Sequence, residues 1–156
     1  MKGNKKLIDA LNQVLTGELT AISQYFVHAK MCANWGLDKL AEANRKESLG
    51  EMKHADQLIE RVLFLEGVPN VQRMNKVKIG EEVPEQLSLD LGLEMAAIPL
   101  LNKSIALAVD VADNGTRELL EEILTSEEEH VDWLEAQLDL IKIVGVENYL
   151  AQQISD

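Results

Sequence analysis

The sequence predicts an all-α fold: a bundle of four long helices with one long connection in the middle of the chain and a short fifth helix at its end. Apolar residues recur at three- and four-residue steps over long stretches, which is the period of a helix with one buried face. Between those stretches stand breakers, at Gly36, at Gly67 with Pro69, at Asn114-Gly115 and at Gly145. Nowhere do β-branched residues alternate over several positions between turn markers, so strand signals are absent.

Helix one is expected from about Lys5 to Asn34, where Leu7, Leu11, Val14/Leu15, Ala21/Ile22, Tyr25 and Ala29 form the repeating apolar face without a proline. Helix two follows from Leu37 to Glu66 through Leu40, Ala43, Glu47, His54, Leu58 and Leu65, an apolar face with two polar interruptions. The stretch 67–82 is too irregular for a helix and too long for a tight turn, so it crosses the bundle. Helix three is expected from about Pro84 to Asp113, with Pro84 suited to a first turn and Asn114-Gly115 as the stop. Helix four runs on to Val144, and Val146 to Ile154 reads as one short separate helix. Pro99 inside helix three removes the amide that would bond the carbonyl of Met95, so a kink or bulge is expected there.

Length and composition agree with one domain spanning residues 1–156: 46% of residues are hydrophobic, enough for a core without disulfides. Lysine and arginine number 15 against 27 acids, a net charge of −12, so a nucleic-acid backbone is repelled and cations are the better partner. Cys32 is alone and is read as a small buried hydrophobe, which suits a reducing cytoplasm. No secretory signal is evident, and no uninterrupted apolar run approaches the roughly 18 residues of a membrane span.

Six residues carry the chemistry: Glu18 on helix one, Glu51 and His54 on two, Glu94 on three, Glu127 and His130 on four. The interval from Glu18 to Glu51 equals that from Glu94 to Glu127, and each second acid is followed three places later by a histidine. The second set therefore repeats the first at one constant offset along the chain. A single ExxH is weak, but two copies in register are not. Residues three apart on a helix lie about 60° apart around its axis, so a Glu and a His at that spacing reach one metal ion. The acids are flanked by apolar residues, Leu15, Ile22 and Tyr25 near Glu18 and Leu91, Ala97 and Ile98 near Glu94, which is not the pattern of a solvated face. Four carboxylates turned into a core cost several kcal/mol each unless neutralised, and two divalent cations neutralise them. Mixed carboxylate and imidazole ligation suits iron or manganese, and the set matches the ligand template of di-iron carboxylate bundles.

Met52 lies one residue, about 100°, from Glu51 and so points off the metal face. With Ala55 and Ile59 it makes an apolar strip facing outward, matched by Leu19 and Phe26 on helix one, so a second buried surface is expected. From the residues alone it is either a subunit contact or a haem ligand.

The segments MKGNKKLIDALNQVLTGEL, AISQYF, NWGLDKL, ESLGEMKHADQLIERVLFLEG, EEILTSEEEHVDWLEAQLDLI and ENYL resemble bacterioferritin, and the likeness runs nearly end to end. The resemblance implies a ferritin-like four-helix bundle with one long crossover and a short C-terminal helix. It also implies a di-iron ferroxidase centre in each bundle and a hollow shell of 24 subunits built from dimers, of this chain alone or mixed with a second ferritin-like subunit. One iron would take Glu18 and His54, the other Glu94 and His130, with Glu51 and Glu127 bridging. Met52 would ligate haem b across a two-fold axis, once from each subunit. Dioxygen or peroxide would oxidise ferrous iron for storage as ferric mineral, a small ferredoxin would supply electrons for release, and the location would be cytoplasmic. Tyr25, Trp35 and Trp133 match aromatics of the family, Tyr25 being either an electron donor or core packing. Asn34, Glu66 and Asp132 resemble pore-lining positions.

The chain departs from the family where many members have a His and an Asp on the inner surface: here stand Lys46 and Gly50, which cannot hold an accessory iron. Arg45 replaces a common aromatic. Two other readings share parts of the pattern. A di-iron enzyme acting on peroxide or an organic substrate would use the same six ligands, and a DNA-protecting assembly would build its site between subunits and want a basic tail, which this sequence does not supply.

Overall fold

A computed structural model describes residues 1–156. The helices are α1 (Lys5–Asn34), α2 (Asp38–Phe64), α3 (Val83–Asp110), α4 (Asn114–Val144) and α5 (Val146–Ala151), with no strands. Short connections join α1 to α2 and α3 to α4, making two antiparallel hairpins. The long segment between α2 and α3 travels the length of the bundle, so α2 and α3 run parallel and the topology is up-down-down-up.

Three helix ends share one design. Trp35, Leu65 and Val111 close α1, α2 and α3. The next residue in each case has positive φ: Gly36 at 79°, Glu66 at 63° and Ala112 at 57°. Paired bonds then satisfy the last carbonyls, as in Gly67 N–H to Val62 O (2.9 Å) with Glu66 N–H to Leu63 O (3.0 Å), a Schellman arrangement. Only one of the three uses glycine, which explains two departures from the sequence reading. Helix two stops at Phe64 rather than Glu66. Helix three stops at Asp110, and Asn114-Gly115 opens α4 instead of ending α3, with Asp113 as the cap accepting from Thr116 N–H (3.0 Å). Gly115 answers to packing: a Cβ there would lie 2.7 Å from the Arg61 guanidinium, which itself binds Asp113 at 2.8 Å. The final helix is shorter than expected, ending at Ala151; it is held by Tyr149, fully buried with its hydroxyl donating to Gln137 (2.8 Å).

α3 runs on through Pro99 to Asp110, with Pro99 exposed and Glu94 buried on the opposite side, so the prolyl ring faces solvent and away from the candidate ligand. α3 also has the length and apolar content of a membrane-crossing helix, yet in this fold it packs on α4 and α1 with Asp90 and Glu94 inside.

Two apolar clusters fill the bundle. The first joins Leu11, Leu15, Leu58, Val62, Leu101, Leu120 and Ile123, and the second joins Cys32, Leu40, Leu87, Leu134 and Tyr149. Between them every long helix turns buried polar residues inward: Glu18 to His28 on α1, Asn44 to His54 on α2, Asp90 and Glu94 on α3, Glu127 and His130 on α4. Cys32 is buried as expected, and burial pushes its thiol up to about 11, which leaves it unreactive at neutral pH.

The crossover is tied to α1 by side chains at four-residue intervals. Asn12 donates to Val68 O (3.1 Å) and accepts from Asn70 N–H (2.8 Å). Thr16 accepts from Arg73 Nε (3.1 Å), Thr20 from Asn75 N–H (3.1 Å), Gln24 from Lys78 N–H (3.1 Å) and His28 from Gly80 N–H (3.0 Å). One polar stripe on α1 thus supplies the hydrogen bonds that an irregular segment cannot make for itself.

Candidate metal centre

The six residues singled out in the sequence converge in the polar layer. Glu18, Glu51, His54 and Glu127 each offer a ligand atom, and these atoms lie within 4.8 Å of one another. His54 Nδ1 stands 3.3 Å from Glu127, 3.5 Å from Glu18 and 3.7 Å from Glu51. Glu94 and His130 complete the set from the other hairpin, with His130 Nδ1 3.1 Å from Glu94 Oε1. All four carboxylates are 1–3% exposed, and together they line a cavity of about 30 Å³ with Val14, Gly17, Ala97, Leu100 and Leu101.

Helical geometry brings them there. Glu51 with His54, and Glu127 with His130, sit one turn apart on the inner faces of α2 and α4, and α1 and α3 each contribute one acid from across the bundle. Apolar residues one turn away, Val14, Leu15, Ala21 and Ile22 around Glu18, Leu91, Ala97 and Ile98 around Glu94 and Ile123 and Leu124 before Glu127, drive those faces inward and carry the carboxylates into the core, whereas Glu51 sits on a more polar stretch of α2.

The electrostatics are those of an acid cluster in need of cations. Burial pushes the Glu94 carboxyl up to about 8, His130 opposes the rise, and Glu127 adds to it. Burial also raises Glu127. His54 moves the other way from the usual buried imidazole: burial pulls it down, but Glu127 and Glu51 outweigh this and hold it at about 9. Burial lowers His130 as well, but its bond to Glu94 and the charges of Glu47, Glu94 and Asp90 raise it overall. Buried atoms without a hydrogen-bond partner concentrate here, on Glu18, His54, Glu94, Glu127 and His130. Buried polar groups are ordinarily satisfied, so inward-facing orphans on Glu and His fit ligation of divalent metal by oxygen and nitrogen.

Two acidic neighbours, Glu47 and Asp90, were not singled out as site residues in the sequence. Glu47, one turn before Glu51, places Oε2 3.7 Å from His130 Nδ1, and burial raises its carboxyl. Asp90, one turn before Glu94, accepts from Gln24 Nε2 (2.8 Å) and pairs with His28 Nδ1 (2.9 Å). The acid four residues ahead of a ligand acid on α2 and on α3 was the available signal, together with the polar stripe on α1. Tyr25 is fully buried and donates its hydroxyl to Glu94; burial, then the charges of Glu94 and Asp90, holds the phenol well above its usual value. Trp133 stacks on His130 at 6.1 Å, whereas Trp35 lies 41% exposed at the end of α1.

Met52 lies elsewhere, on the outer face of α2 and 53% exposed. It borders a groove of about 420 Å³ with Ile22, Ser23, Phe26, Arg45, Ser48 and Leu49. The surface expected there exists, but Ala55 is turned into the core and Arg45 and Leu49 take its place in the groove. Asn34, Glu66 and Asp132 are exposed, as is Lys46, and a Cβ on Gly50 would meet nothing within 4 Å.

The Ferritin family profile, described as a ferritin-like domain, matches residues 8–144. Bacterioferritin of Mycolicibacterium paratuberculosis is 44% identical over 155 residues, covering 99% of this chain and 98% of that protein. Bacterioferritin of Rhodobacter capsulatus is 44% identical over 149 residues (96% and 92%), and that of Streptomyces coelicolor 44% over 154 (99% and 92%). With the bundle, its long crossover and its inward ring of carboxylates and histidines, this chain belongs to the bacterioferritin family of ferritin-like proteins.

Proposed function

We propose that the chain stores iron and is a ferroxidase: 4 Fe²⁺ + O₂ + 4 H⁺ → 4 Fe³⁺ + 2 H₂O, with peroxide as an alternative oxidant and the ferric product deposited as mineral inside a 24-subunit cage built from dimers. The observation that carries this reading is the ring of six buried ligands with orphaned inward atoms. Glu18 and His54 bind one ferrous ion, Glu94 and His130 the other, and Glu51 and Glu127 bridge. Four carboxylates balance two ferrous charges, so the substrate is drawn in by charge and held at fixed spacing by four helices. The small cavity favours this over a di-iron enzyme acting on an organic substrate, because about 30 Å³ admits ions, water and dioxygen but no larger molecule.

The Met52 groove fits a haem b shared across a two-fold axis. It is mostly apolar, of ligand-sized volume, with an exposed thioether and one cation, Arg45. Bound haem would supply one-electron transfer toward the mineral, with a ferredoxin-type reductant for iron release. Cytoplasmic location, and assembly alone or with a second ferritin-like subunit, belong to the same reading. Lys46 and Gly50 provide no inner-surface ligands, so iron passes through the centre into the cavity. A Lys46→His/Gly50→Asp variant, which the open space at Gly50 tolerates, should mineralise at the wild-type rate. Iron retained at the centre throughout wild-type mineralisation would sink that route.

Anaerobic ferrous titration of the iron-free protein, followed by oxygen, tests the main reading. Saturation at two ferrous ions per chain with rapid oxidation, lost in Glu18→Ala, supports it. No oxidation, or binding unaffected by the substitution, overturns it. A bis-methionine haem spectrum lost in Met52→Leu tests the groove.

A further inference from the structure

Asp90 is 1% exposed and sits one turn before Glu94 on α3. Its Oδ1 takes two hydrogen bonds from α1, from Gln24 Nε2 at 2.8 Å and His28 Nδ1 at 2.9 Å. The direction of the second follows from the other end of the ring. Gly80 N–H donates to His28 Nε2 (3.0 Å), so Nε2 carries a lone pair and the ring proton sits on Nδ1. In this geometry His28 brings a donor and no charge, and Gln24 likewise brings a donor and no charge. Oδ2 of Asp90 is buried and has no partner at all.

A buried carboxylate with neutral donors and no cation in contact is an unusual element of a core, since buried charges are ordinarily paired or near a metal. Its surroundings show where the compensation lies. Its charge acts on Tyr25, which donates to Glu94, and on His130, which pairs with Glu94. The four ligand carboxylates balance two ferrous ions and leave nothing for the two positive charges gained on oxidation.

We propose that Asp90 is a positioning residue of the iron centre: a fixed, uncompensated anion, held in register by Gln24 and His28, that favours ferric over ferrous iron beside Glu94 and His130. The assignment rests on the ferroxidase reading above. It also gives the α1 stripe a role beyond strapping down the crossover, because Gln24 and His28 connect Lys78 and Gly80 of the crossover to Asp90.

The bland role is a clamp between α1 and α3, and three substitutions in the assembled protein separate the two. Asp90→Asn keeps an acceptor for Gln24 and His28 and removes the charge. Asp90→Glu keeps the charge and disturbs the clamp. Asp90→Ala removes both. Three readouts are needed: the midpoint potential of the iron pair by mediated titration, Co²⁺ binding by absorbance, and the thermal midpoint of the metal-free protein. Asp90→Asn should hold the thermal midpoint but reduce the ferric preference about tenfold, the lower end for groups outside the ligand set, which is a rise of about 59 mV per ion. Asp90→Glu should keep a near wild-type potential with a lowered thermal midpoint, and Asp90→Ala should lose both. A potential that follows the thermal midpoint across the three variants instead of the charge overturns the proposal. Wild-type protein that fails to bind two Co²⁺ per chain overturns the ferroxidase reading and this proposal with it; wild-type protein that binds them beside an unaltered Asp90→Asn overturns this proposal alone.

Discussion

Glu18, Glu51 and His54 on the first hairpin repeat as Glu94, Glu127 and His130 on the second at one constant offset, yet the two trios sit in different surroundings. His130 and Glu94 are supported by protein. Tyr25 donates to Glu94, Glu47 stands beside His130, Asp90 lies one turn away and Trp133 stacks on the imidazole. His54 and Glu18 have no such support: beyond the ligand carboxylates, neither makes a side-chain hydrogen bond or ion pair. Carrying the three polar supports, Tyr25, Asp90 and Glu47, across by the offset that relates the two trios shows why. Tyr25 corresponds to Leu101, Asp90 to Val14 and Glu47 to Ile123, all three members of one apolar cluster. The candidate ligands are duplicated and their polar supports are not, so on the proposed reading two ions would meet one donor set in two environments, one apolar and one polar.

Substitutions that remove ligands should have the largest effect. Glu127 lies 3.3 Å from His54 and also acts on Glu94, so it serves both halves. Even groups outside the ligand set are worth about 10–100-fold at metal sites, so Glu127→Ala should slow ferrous oxidation by more than about 100-fold. Stopped-flow ferric absorbance measures this, and a loss under tenfold would mean that Glu127 does not bridge. His54→Ala and His130→Ala should each reduce Co²⁺ binding from two ions to one. Two-ion binding by either variant would show that its histidine is not a ligand.

Next comes pH. Glu94 in the metal-free protein is raised from 4.5 to about 8, so its contribution to stability is complete below 4.5 and is lost as pH rises through 8. His54 is raised from 6.5 to about 9, and its contribution is complete below 6.5 and is lost as pH rises through 9. Both act in one direction: the metal-free thermal midpoint should fall by about 5 °C between neutral pH and the upper end of that window. Glu94→Gln should flatten the part below pH 8, leaving the His54 part. A midpoint that rises with pH would contradict both assignments.

A smaller effect is expected at Tyr25. Tyr25→Phe keeps the buried ring and removes the donor to Glu94, making the second environment more like the first. It should slow oxidation about 3–10-fold without changing how many ions bind, since it acts on a ligand from outside. The smallest is at Thr20→Val, which takes one acceptor from the crossover and costs about 1 kcal/mol of stability. Iron binding should be unchanged, and a changed stoichiometry would show that the strap and the site are not separable.

The convergence of the two candidate trios was legible in the sequence because donors for a metal would stand at helical spacing, and a constant offset between hairpins made two weak motifs into one strong pattern. Asp90 and Glu47 escaped because they follow no register: their counterparts at the same offset are apolar. Helix interiors were legible from periodicity, while their ends were obscured by Glu66 and Ala112 taking the left-handed conformation that glycine usually marks, and by a glycine at 115 that makes room for Arg61. The crossover was recognised by irregularity alone. Its path is written on α1, in Asn12, Thr16, Thr20, Gln24 and His28, and a stripe of polar side chains does not announce what it will bind.

That stripe makes the crossover a ruler. Successive rungs rise about 6 Å along α1, while the strap advances two or three residues per rung, so the two scales agree only in one alignment. An inserted residue between Asn70 and Gly80 would put every later rung out of step. The amides of Asn70, Asn75, Lys78 and Gly80 are shielded by α1 side chains and by no helix of their own. Their exchange with solvent deuterium therefore times how often the strap peels from the first hairpin.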